Sequence, residues 1–146
     1  MVDLIRNGEL DRALELLHFA FRAVIAKPDR ILKARGLSRV HHRILFFVRN
    51  NPGLSVGELL QILNVSKQAL NGPLNILIQK KFVSFITSPQ DRRVKCIHLT
   101  DAGRALENIV SGDQRDRFQA AFKRVGKEKE EAWRETMRLL VRKNYK

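Results

Sequence analysis

Apolar residues recur at helical spacing through most of the chain and alternate with polar ones in one short stretch. From Glu9 to Ala26 the polar side chains fall on one narrow stripe, and the other directions around the helix are apolar. The stripe consists of Asp11, Glu15, His18 and Arg22. A helix that is apolar on several sides needs neighbours on several sides, so in a protein this small the pattern predicts a subunit interface. Pro28 is expected to end the helix.

Three shorter helices are predicted next, and the last two lie close together. Ser38 is placed to cap the first, and Asn51-Pro52-Gly53 ends it with residues that suit a type II turn. Ser55 and Glu58 form a capping box that begins the second helix, and Ser66 is placed to cap the third. Two short helices joined by such a brief break are typical of a helix-turn-helix.

A β-hairpin is predicted directly after these helices. Phe82–Ile86 has the composition of a strand, Ser88–Arg93 forms a polar tip, and Val94–Leu99 alternates apolar with polar residues. In that alternation Cys96 faces away from the inward side of the hairpin. A hairpin in this place is the wing of a winged helix, and Thr100 is expected to cap the helix that follows.

The last third of the chain is helical, but its apolar face changes direction. The apolar side chains of residues 118–125 lie roughly 130° around the helix axis from those of residues 102–110. Either the helix breaks near Gly112, or it continues and its halves pack against different neighbours, the outer half against a partner chain. Gly126 is expected to end it, and a last helix is predicted over about residues 128–143.

The net charge indicates the class of partner. The chain has 146 residues, 28 Lys+Arg against 15 Asp+Glu, a formal net charge of +13 and 44% hydrophobic residues, which fits one folded domain over residues 1–146. A large positive excess on a folded domain favours a polyanion, most often nucleic acid, with an anionic membrane surface second. Residues 51–100 contain only two acidic side chains, Glu58 and Asp91, so a polyanion would meet least repulsion there.

Several other classes of protein do not fit the sequence. It contains no run of about 18 apolar residues to span a membrane, and acidic residues near the N-terminus argue against a secretory signal. The single cysteine, Cys96, cannot form an internal disulfide, so we expect a cytoplasmic protein. We also expect no enzymatic activity, no cofactor and no metal site, because phosphate-binding glycine loops, paired carboxylates and metal-ligand spacings are missing.

Histidine and cysteine leave two less favoured alternatives open. His41 and His42 are adjacent on a helix and face different directions, so they cannot both bind one metal ion unaided. A metal sensor that uses His18, His41 or His42 between helices is the weaker interpretation, because most histidines are structural or solvated. A redox role for Cys96 would need a thiolate, which nearby Lys95 favours only slightly.

Several motifs between residues 37 and 104 occur together at fixed spacing. They are the helix after Leu37-Ser38, the strings Pro52-Gly53-Leu54-Ser55-Val56-Gly57-Glu58-Leu59 and Val65-Ser66-Lys67-Gln68-Ala69-Leu70, and Asp91-Arg92-Arg93 followed by Ile97-His98-Leu99-Thr100-Asp101-Ala102-Gly103. The last string is the most specific, because a wing tip and a Leu-Thr-x-x-Gly helix start at this spacing rarely occur elsewhere. Together these motifs resemble the MarR family of bacterial winged-helix transcriptional regulators.

The resemblance implies a mainly α fold with a small β-wing. A winged helix-turn-helix DNA-binding region would cover residues 38–100, with dimerisation helices over residues 1–37 and 101–146. Family members are homodimers that usually repress transcription, and a small, often aromatic or anionic ligand releases them by binding between the dimer helices and the winged domain. Two-fold symmetry implies a pseudo-palindromic operator with half-sites about 10 bp apart.

Two positions depart from the family pattern. Lys81 stands where members usually have glycine, which ends the recognition helix in a left-handed cap at little cost. Pro73 lies inside that helix, where it removes one backbone hydrogen bond and favours a kink. Both departures bear on the pose of the helix and not on the fold.

The second helix of the helix-turn-helix carries the first group of candidate DNA-binding residues. Ser66 places a hydroxyl and free backbone N–H groups where a phosphate would lie, although a plain N-cap explains it equally well. The polar face of this helix suits a major groove, because Gln and Asn can pair with adenine and Lys can reach guanine or phosphate. That face consists of Lys67, Gln68, Asn71 and Asn75. Beside a wing, base contacts are favoured over a merely solvated face.

The wing tip carries the second group. An arginine held there can enter the narrow minor groove, where the electrostatic potential is most negative. The resemblance makes Arg93 the minor-groove residue, Asp91 the partner that orients it, and Arg92 a neighbour of the DNA backbone. The alternative, an ordinary charged turn, is disfavoured by the surrounding motif.

The sequence therefore predicts a homodimeric regulator that binds specific double-stranded DNA, with a small-molecule effector and without a membrane partner. The alternative is a winged helix used for protein or RNA contact without operator specificity, whose basic surface serves a ribosomal or membrane polyanion.

Overall fold

Six helices and one β-hairpin make up the computed structural model, which describes residues 3–142. The helices are α1 (Leu4–Lys33), α2 (Arg39–Asn50), α3 (Val56–Leu63), α4 (Lys67–Gln79), α5 (Asp101–Val125) and α6 (Lys127–Val141). Strands β1 (Val83–Thr87) and β2 (Lys95–Leu99) pair antiparallel, with Phe85 opposite Ile97. The predicted mainly α fold with a small β-wing is confirmed. None of the helices within residues 3–142 is long and apolar enough to cross a membrane.

The core lies where α2, α3 and α4 meet the inner side of the hairpin and the first half of α5. It consists almost entirely of branched aliphatic side chains, which fill this space with few polar atoms to satisfy. The most deeply buried of them are Leu32, Ile44, Leu45, Leu59, Leu70, Leu77, Ile97 and Val110. Most of α1, the outer half of α5 and all of α6 contribute little to this core.

Prolines inside two helices do not end them. The prediction that Pro28 ends the first helix is wrong, because α1 continues to Lys33. The ring of Pro28 is buried, and its packing outweighs the loss of one backbone donor. The carbonyl of Val24, four residues earlier, instead accepts a long hydrogen bond of 3.4 Å from the Gln114 side chain of α5. The helix α4 likewise continues through Pro73.

The turns and caps of the helix-turn-helix follow the local sequence closely. Gly53 has a φ of +79°, and the Leu54 N–H donates to the Asn51 carbonyl at 3.1 Å, as the predicted type II turn requires. The predicted capping box is present: the Glu58 N–H donates to Ser55 Oγ at 3.1 Å, and the Ser55 N–H donates to Glu58 Oε1 at 3.2 Å. These bonds fix the start of α3.

An isolated β-bridge joins the wing to the helix-turn-helix. The Ile97 N–H donates to the Leu54 carbonyl at 2.8 Å, and Ser55 pairs with Cys96 across an isolated antiparallel bridge. Strand alternation places half-buried Cys96 on the face opposite buried Ile97, as predicted. This pairing is not predictable from the sequence, because two residues are too few to show alternation. It anchors β2 beside the N-terminus of α3.

The helix α5 is continuous, so of the two alternatives for the last third of the chain the unbroken helix is correct. It passes through Gly112; its first half buries Leu106 in the core, whereas its outer half leaves Phe118 exposed in the single chain. Gly126 follows the last residue of α5, as predicted. The last helix is α6, and its predicted end at Lys143 lies outside the described residues.

The residues just after α4 connect the helix to the hairpin and to α5. Lys81 takes the left-handed conformation without being glycine, with φ +62°, and its carbonyl accepts a 2.6 Å hydrogen bond from the Thr100 hydroxyl. The Phe82 N–H donates to the Leu77 carbonyl at 2.9 Å, which completes a Schellman cap. A Cβ on Gly103 would lie 1.9 Å from the Phe82 carbonyl oxygen. The helix α5 can therefore approach this corner only because residue 103 has no side chain.

Replacing Gly103 with alanine is expected to destabilise the protein by about 3 kcal/mol, because backbone atoms must move to accept the new methyl group. Gly112→Ala on the same helix is the matched control. No neighbouring atom lies within 4 Å of its added Cβ, so the better helix propensity should stabilise the protein by roughly 0.5–1 kcal/mol. Denaturant unfolding at one fixed chain concentration measures both changes. Equal effects of the two substitutions would contradict the close approach at Gly103.

Candidate nucleic-acid interface

The helix α4 presents its polar residues on one exposed side. Ser66 caps the helix, since its hydroxyl oxygen accepts the Ala69 N–H at 3.1 Å. The predicted polar residues Lys67, Gln68, Asn71 and Asn75 are all exposed. The opposite side of the helix is buried through Leu70, Leu74 and Leu77. The apolar side fixes the orientation of the helix, so the polar side must face outward.

A groove of about 550 Å³ lies between α4 and the wing. Lys67, Asn71 and Asn75 line it from α4, and Arg93 lines it from the wing tip. The N-terminal end of α3 contributes Ser55, Val56 and Gly57. The structure thus brings four of the predicted site residues together on one concave surface. Ser66, Gln68, Asp91 and Arg92 lie outside the lining of this groove.

The wing tip holds Arg93 by a bidentate ion pair. Its Nε lies 3.2 Å from Asp91 Oδ1, its Nη2 lies 3.2 Å from Asp91 Oδ2, and its backbone N–H donates to Oδ1 at 3.0 Å. These hydrogen bonds from the side chain and the backbone of Arg93 lower the pKa of the Asp91 carboxyl. The Arg93 side chain nevertheless remains 91% exposed. Its guanidinium is therefore oriented by Asp91 and still accessible to a ligand.

The charge of the groove has one sign. Three cationic side chains, Lys67, Arg93 and Lys95, line it, and the lining contains no acidic residue. Cations gathered in a concave surface attract polyanions more strongly than the same charges spread over a flat one. The amides of Asn71 and Asn75 add hydrogen-bond donors and acceptors between these charges. Such a lining suits recognition of a nucleic acid.

Among the groove residues that sequence reasoning did not place in the site are Phe85 and Lys95. Both line its wing side, and Lys95 Nζ lies 5.6 Å from the centre of the Phe85 ring. Strand alternation carried a usable signal, because Lys95 has the same parity along β2 as the core residues Ile97 and Leu99. The same parity therefore predicts an inward direction for Lys95, beside its role as a neighbour of Cys96.

A second and smaller cleft, of about 190 Å³, lies between α1, α2 and α5. Two aromatic rings and two guanidinium groups line it beside a histidine: Phe21, Phe46, Arg39, Arg43 and His42, together with Ile25 and Gln114. Burial lowers the pKa of His42, and the charge of Glu107 opposes that shift to a smaller extent. Its Nε2 lies 2.8 Å from the Ser111 Oγ of α5, so the imidazole connects α2 to α5.

A buried carboxylate makes a further connection between the same two helices. Glu107 of α5 is fully buried, and Arg49 of α2 pairs with its Oε2. Arg115 lies 3.7 Å from its Oε1. A carboxylate in such a place needs a cationic partner, because an unpaired buried charge is strongly destabilising. The pair therefore ties the end of α2 to α5 at a defined position.

Among residues 3–142, no three His, Cys, Asp or Glu side chains come together in a group that could hold a metal ion.

Comparison with known proteins places the chain among regulators of one fold. A sequence model described as MarR family matches residues 35–94. The HTH-type transcriptional regulator PetP of Rhodobacter capsulatus is 34% identical over 137 residues, which cover 94% of this chain and 82% of PetP. The similarity to PetP therefore extends well beyond the winged region, into the flanking helices.

Two solved structures share the fold at low sequence identity. A mutant of S. aureus MepR bound to an oligodeoxyribonucleotide aligns with a TM-score of 0.62 and 18% identity, covering 88% of this chain and 95% of that one. NadR in complex with 4-hydroxyphenylacetate aligns with a TM-score of 0.73 and 21% identity, covering 88% of this chain and 91% of NadR.

Replacing Arg93 with alanine is expected to raise the pKa of Asp91 toward its ordinary value, because the carboxylate loses the bonds that stabilise its charged form. In the unchanged protein the Asp91–Arg93 pair should stabilise the turn at any pH above the ordinary pKa of an aspartate. This stabilisation should be lost as the pH falls through the lowered pKa of Asp91. Carboxyl titration by NMR measures both forms. Arg92→Ala is the matched control and should leave the Asp91 pKa unchanged; an equal response to both substitutions would contradict the pairing.

Proposed function

Because this chain belongs to the MarR family of winged-helix transcriptional regulators, we propose that it binds a specific double-stranded DNA operator as a homodimer and is released by a small ligand. The groove between α4 and the wing is the observation that carries the proposal. It joins Lys67, Asn71 and Asn75 to Arg93 on one surface without an acidic residue. This combination supplies both the charge that attracts DNA and the amides that can distinguish bases.

Each part of the interface has a proposed role. The helix α4 enters a major groove, where Gln68, Asn71 and Asn75 contact base edges, while Ser66 and Lys67 contact phosphate at the start of the helix. The wing reaches the adjoining minor groove through Arg93, oriented by Asp91, with Arg92 near the DNA backbone. The MepR mutant bound to an oligodeoxyribonucleotide, a chain of similar fold, supports DNA as the partner.

Duplex DNA is favoured over RNA by the shape of the interface. A helix such as α4 fits the major groove of B-form DNA, whereas the major groove of A-form RNA is too deep and narrow for side chains to read. Recognition of single-stranded RNA would rely on exposed aromatic rings for stacking. The lining of the groove has one such ring, Phe85, with Lys95 above it. The alternative of RNA or protein contact is therefore less well supported.

The homodimer is supported by apolar surface that the single chain leaves uncovered. In α1 the exposed apolar residues include Leu4, Ile5, Leu10, Leu14, Leu16, Leu17, Phe19 and Phe21. Further ones lie on α5 and α6, including Phe118, Val125, Leu139 and Leu140. So large an apolar surface is rare on monomers and marks an interaction site. A second copy would cover it through the segments expected to dimerise, residues 1–37 and 101–146.

The effector is proposed to bind the cleft between α1, α2 and α5. Phe21 and Phe46 offer faces for an aromatic ring, and Arg39 and Arg43 offer charge-assisted donors for an anionic group. NadR, a chain of similar fold, is known in complex with 4-hydroxyphenylacetate. A ligand that fills this cleft would shift α2, which packs against the recognition helix, relative to the dimer helices. Release from the operator would then end repression, in the cytoplasm where the chromosome lies.

Arg93→Ala is expected to weaken operator binding by about 1–3 kcal/mol while leaving folding intact, because the removed side chain is exposed and contacts DNA only in the complex. Operators are first selected from genomic fragments, and Kd is then measured against unrelated duplexes. Arg124→Ala, an exposed change of the same charge outside the wing, is the control and should have little effect. The proposed function would be contradicted if Arg93→Ala bound the operator as tightly as the unchanged protein, or if the unchanged protein bound every duplex equally.

Arg43→Ala is expected to leave operator affinity unchanged in the absence of ligand. It should raise the 4-hydroxyphenylacetate concentration needed for release by about tenfold, because the ligand loses one charge-assisted hydrogen bond. Release is followed by fluorescence anisotropy of labelled operator. The neutral analogue 4-hydroxyphenylethanol is the control ligand and should release weakly from both proteins. If the same concentration of 4-hydroxyphenylacetate releases both proteins from the operator, this cleft is not the effector site for aromatic anions.

A further inference from the structure

Lys95 is the first residue of strand β2, and it lies on the same face of the strand as the core residues Ile97 and Leu99. Leu99, Ile97 and Lys95 share one face of the hairpin, because side chains two apart on a strand point the same way. Leu99 and Ile97 are buried, Ile97 to 1% exposure, whereas Lys95 is exposed. The row therefore runs from the core into the groove beside α4, which Lys95 lines.

Phe85 restrains the ammonium group of Lys95. The Lys95 Nζ lies over the Phe85 ring at 5.6 Å from its centre, a cation–π distance. Phe85 sits opposite Ile97 in the strand pairing, which fixes its place along β1, while its ring stays 37% exposed on the groove side. Because the ring favours one direction for the long lysine side chain, less conformational entropy is lost when Lys95 meets a ligand.

The charge of Lys95 has no partner within the described chain. Among residues 3–142, no carboxylate makes an ion pair with it. It lines the same groove as Lys67 and Arg93; Asp91 pairs with Arg93 from outside the lining, and no acidic residue lines the groove itself. Like charges held on one concave surface repel one another until an anion enters. An anionic ligand in the groove would therefore relieve the repulsion between Lys67 and Lys95.

The position of Lys95 selects which part of the DNA it meets. If α4 occupies a major groove and Arg93 the adjoining minor groove, the phosphate backbone that separates the two must cross the space between α4 and the wing. That space is the groove lined by Lys95. We infer that Lys95 is a phosphate-contact residue of the DNA interface and that Phe85 is the positioning residue that holds it, an inference that rests on the proposed function.

The test is the salt dependence of operator binding by Lys95→Gln. Each phosphate contact contributes about 0.9 to the slope of log K against log salt, so losing one contact per subunit should make the slope of the dimer shallower by about 1.8. The affinity ratio of the unchanged protein to the variant should then fall about tenfold between 50 and 200 mM salt. The loss should be the same for operator and unrelated duplexes, because a phosphate contact carries no sequence information.

Lys129→Gln is the matched control. Lys129 is an exposed lysine of α6 without an ion pair among residues 3–142, so this change removes the same net charge far from the wing. It should leave the slope unchanged. Phe85→Leu keeps the charge and removes the ring, and it should weaken binding about threefold at an unchanged slope.

The outcomes separate this inference from the proposed function. An unchanged slope for Lys95→Gln, with Arg93→Ala still weakening the operator complex, overturns the inference alone. Equal slope changes for Lys95→Gln and Lys129→Gln also overturn it, because net charge would then explain both. If neither Lys95→Gln nor Arg93→Ala alters binding, the groove is not the DNA interface and the proposed function fails with it.

Discussion

The approach of α5 to the corner after α4 sets the geometry of the groove proposed to bind DNA. Thr100 donates its hydroxyl to the Lys81 carbonyl and its backbone N–H to the Phe82 carbonyl, at 2.6 and 3.0 Å. Gly103, one turn later, leaves room for the Phe82 carbonyl. The recognition helix, the first wing strand and α5 are thereby held at one point. A wing attached by a flexible loop could not keep Arg93 at a fixed distance from Asn71 and Asn75.

Two buried polar contacts extend this rigidity from the winged domain to the helices expected to dimerise. Arg49 of α2 pairs with fully buried Glu107 of α5, and the His42 imidazole meets the Ser111 hydroxyl. Hydrogen-bonded groups of this kind are costly to leave unpaired, so they specify one position of α2 relative to α5. His42 also lines the smaller cleft. A ligand in this cleft would therefore act where α2 and α5 contact each other. Because such a packed contact has only a few discrete arrangements, a ligand there can move α2 from one arrangement to another.

Local chemistry made the helix-turn-helix and the wing predictable, and tertiary contacts account for what was not. Ser55 and Glu58 predict a helix start because their capping hydrogen bonds join only residues that are close in sequence. Pro28 gave the wrong helix end because its burial against other helices offsets the lost hydrogen bond. Lys81 adopts a conformation usual for glycine because the surrounding bonds impose it. In the sequence Glu107 resembles a solvated helix residue, because its partner Arg49 is 58 positions away and comes beside it only in the folded chain. Within the candidate site, helical spacing identified the polar face of α4. Alternation along β2 carried the inward direction of Lys95, whereas its contact with the Phe85 ring depends on tertiary structure.

We propose that two copies of one interface each read a major groove and the adjoining minor groove. The test is footprinting on an operator selected from genomic DNA, together with the mass of the complex. Hydroxyl radicals report the sugar backbone and the minor groove, and dimethyl sulfate methylation of guanine N7 reports the major groove. The expected result is a complex with two chains and a two-fold symmetric footprint. Its protected major grooves should be about 10 bp apart and flanked by minor-groove protection that the Arg93→Ala variant loses. A uniform footprint without a dyad, or a complex with one chain, would contradict it.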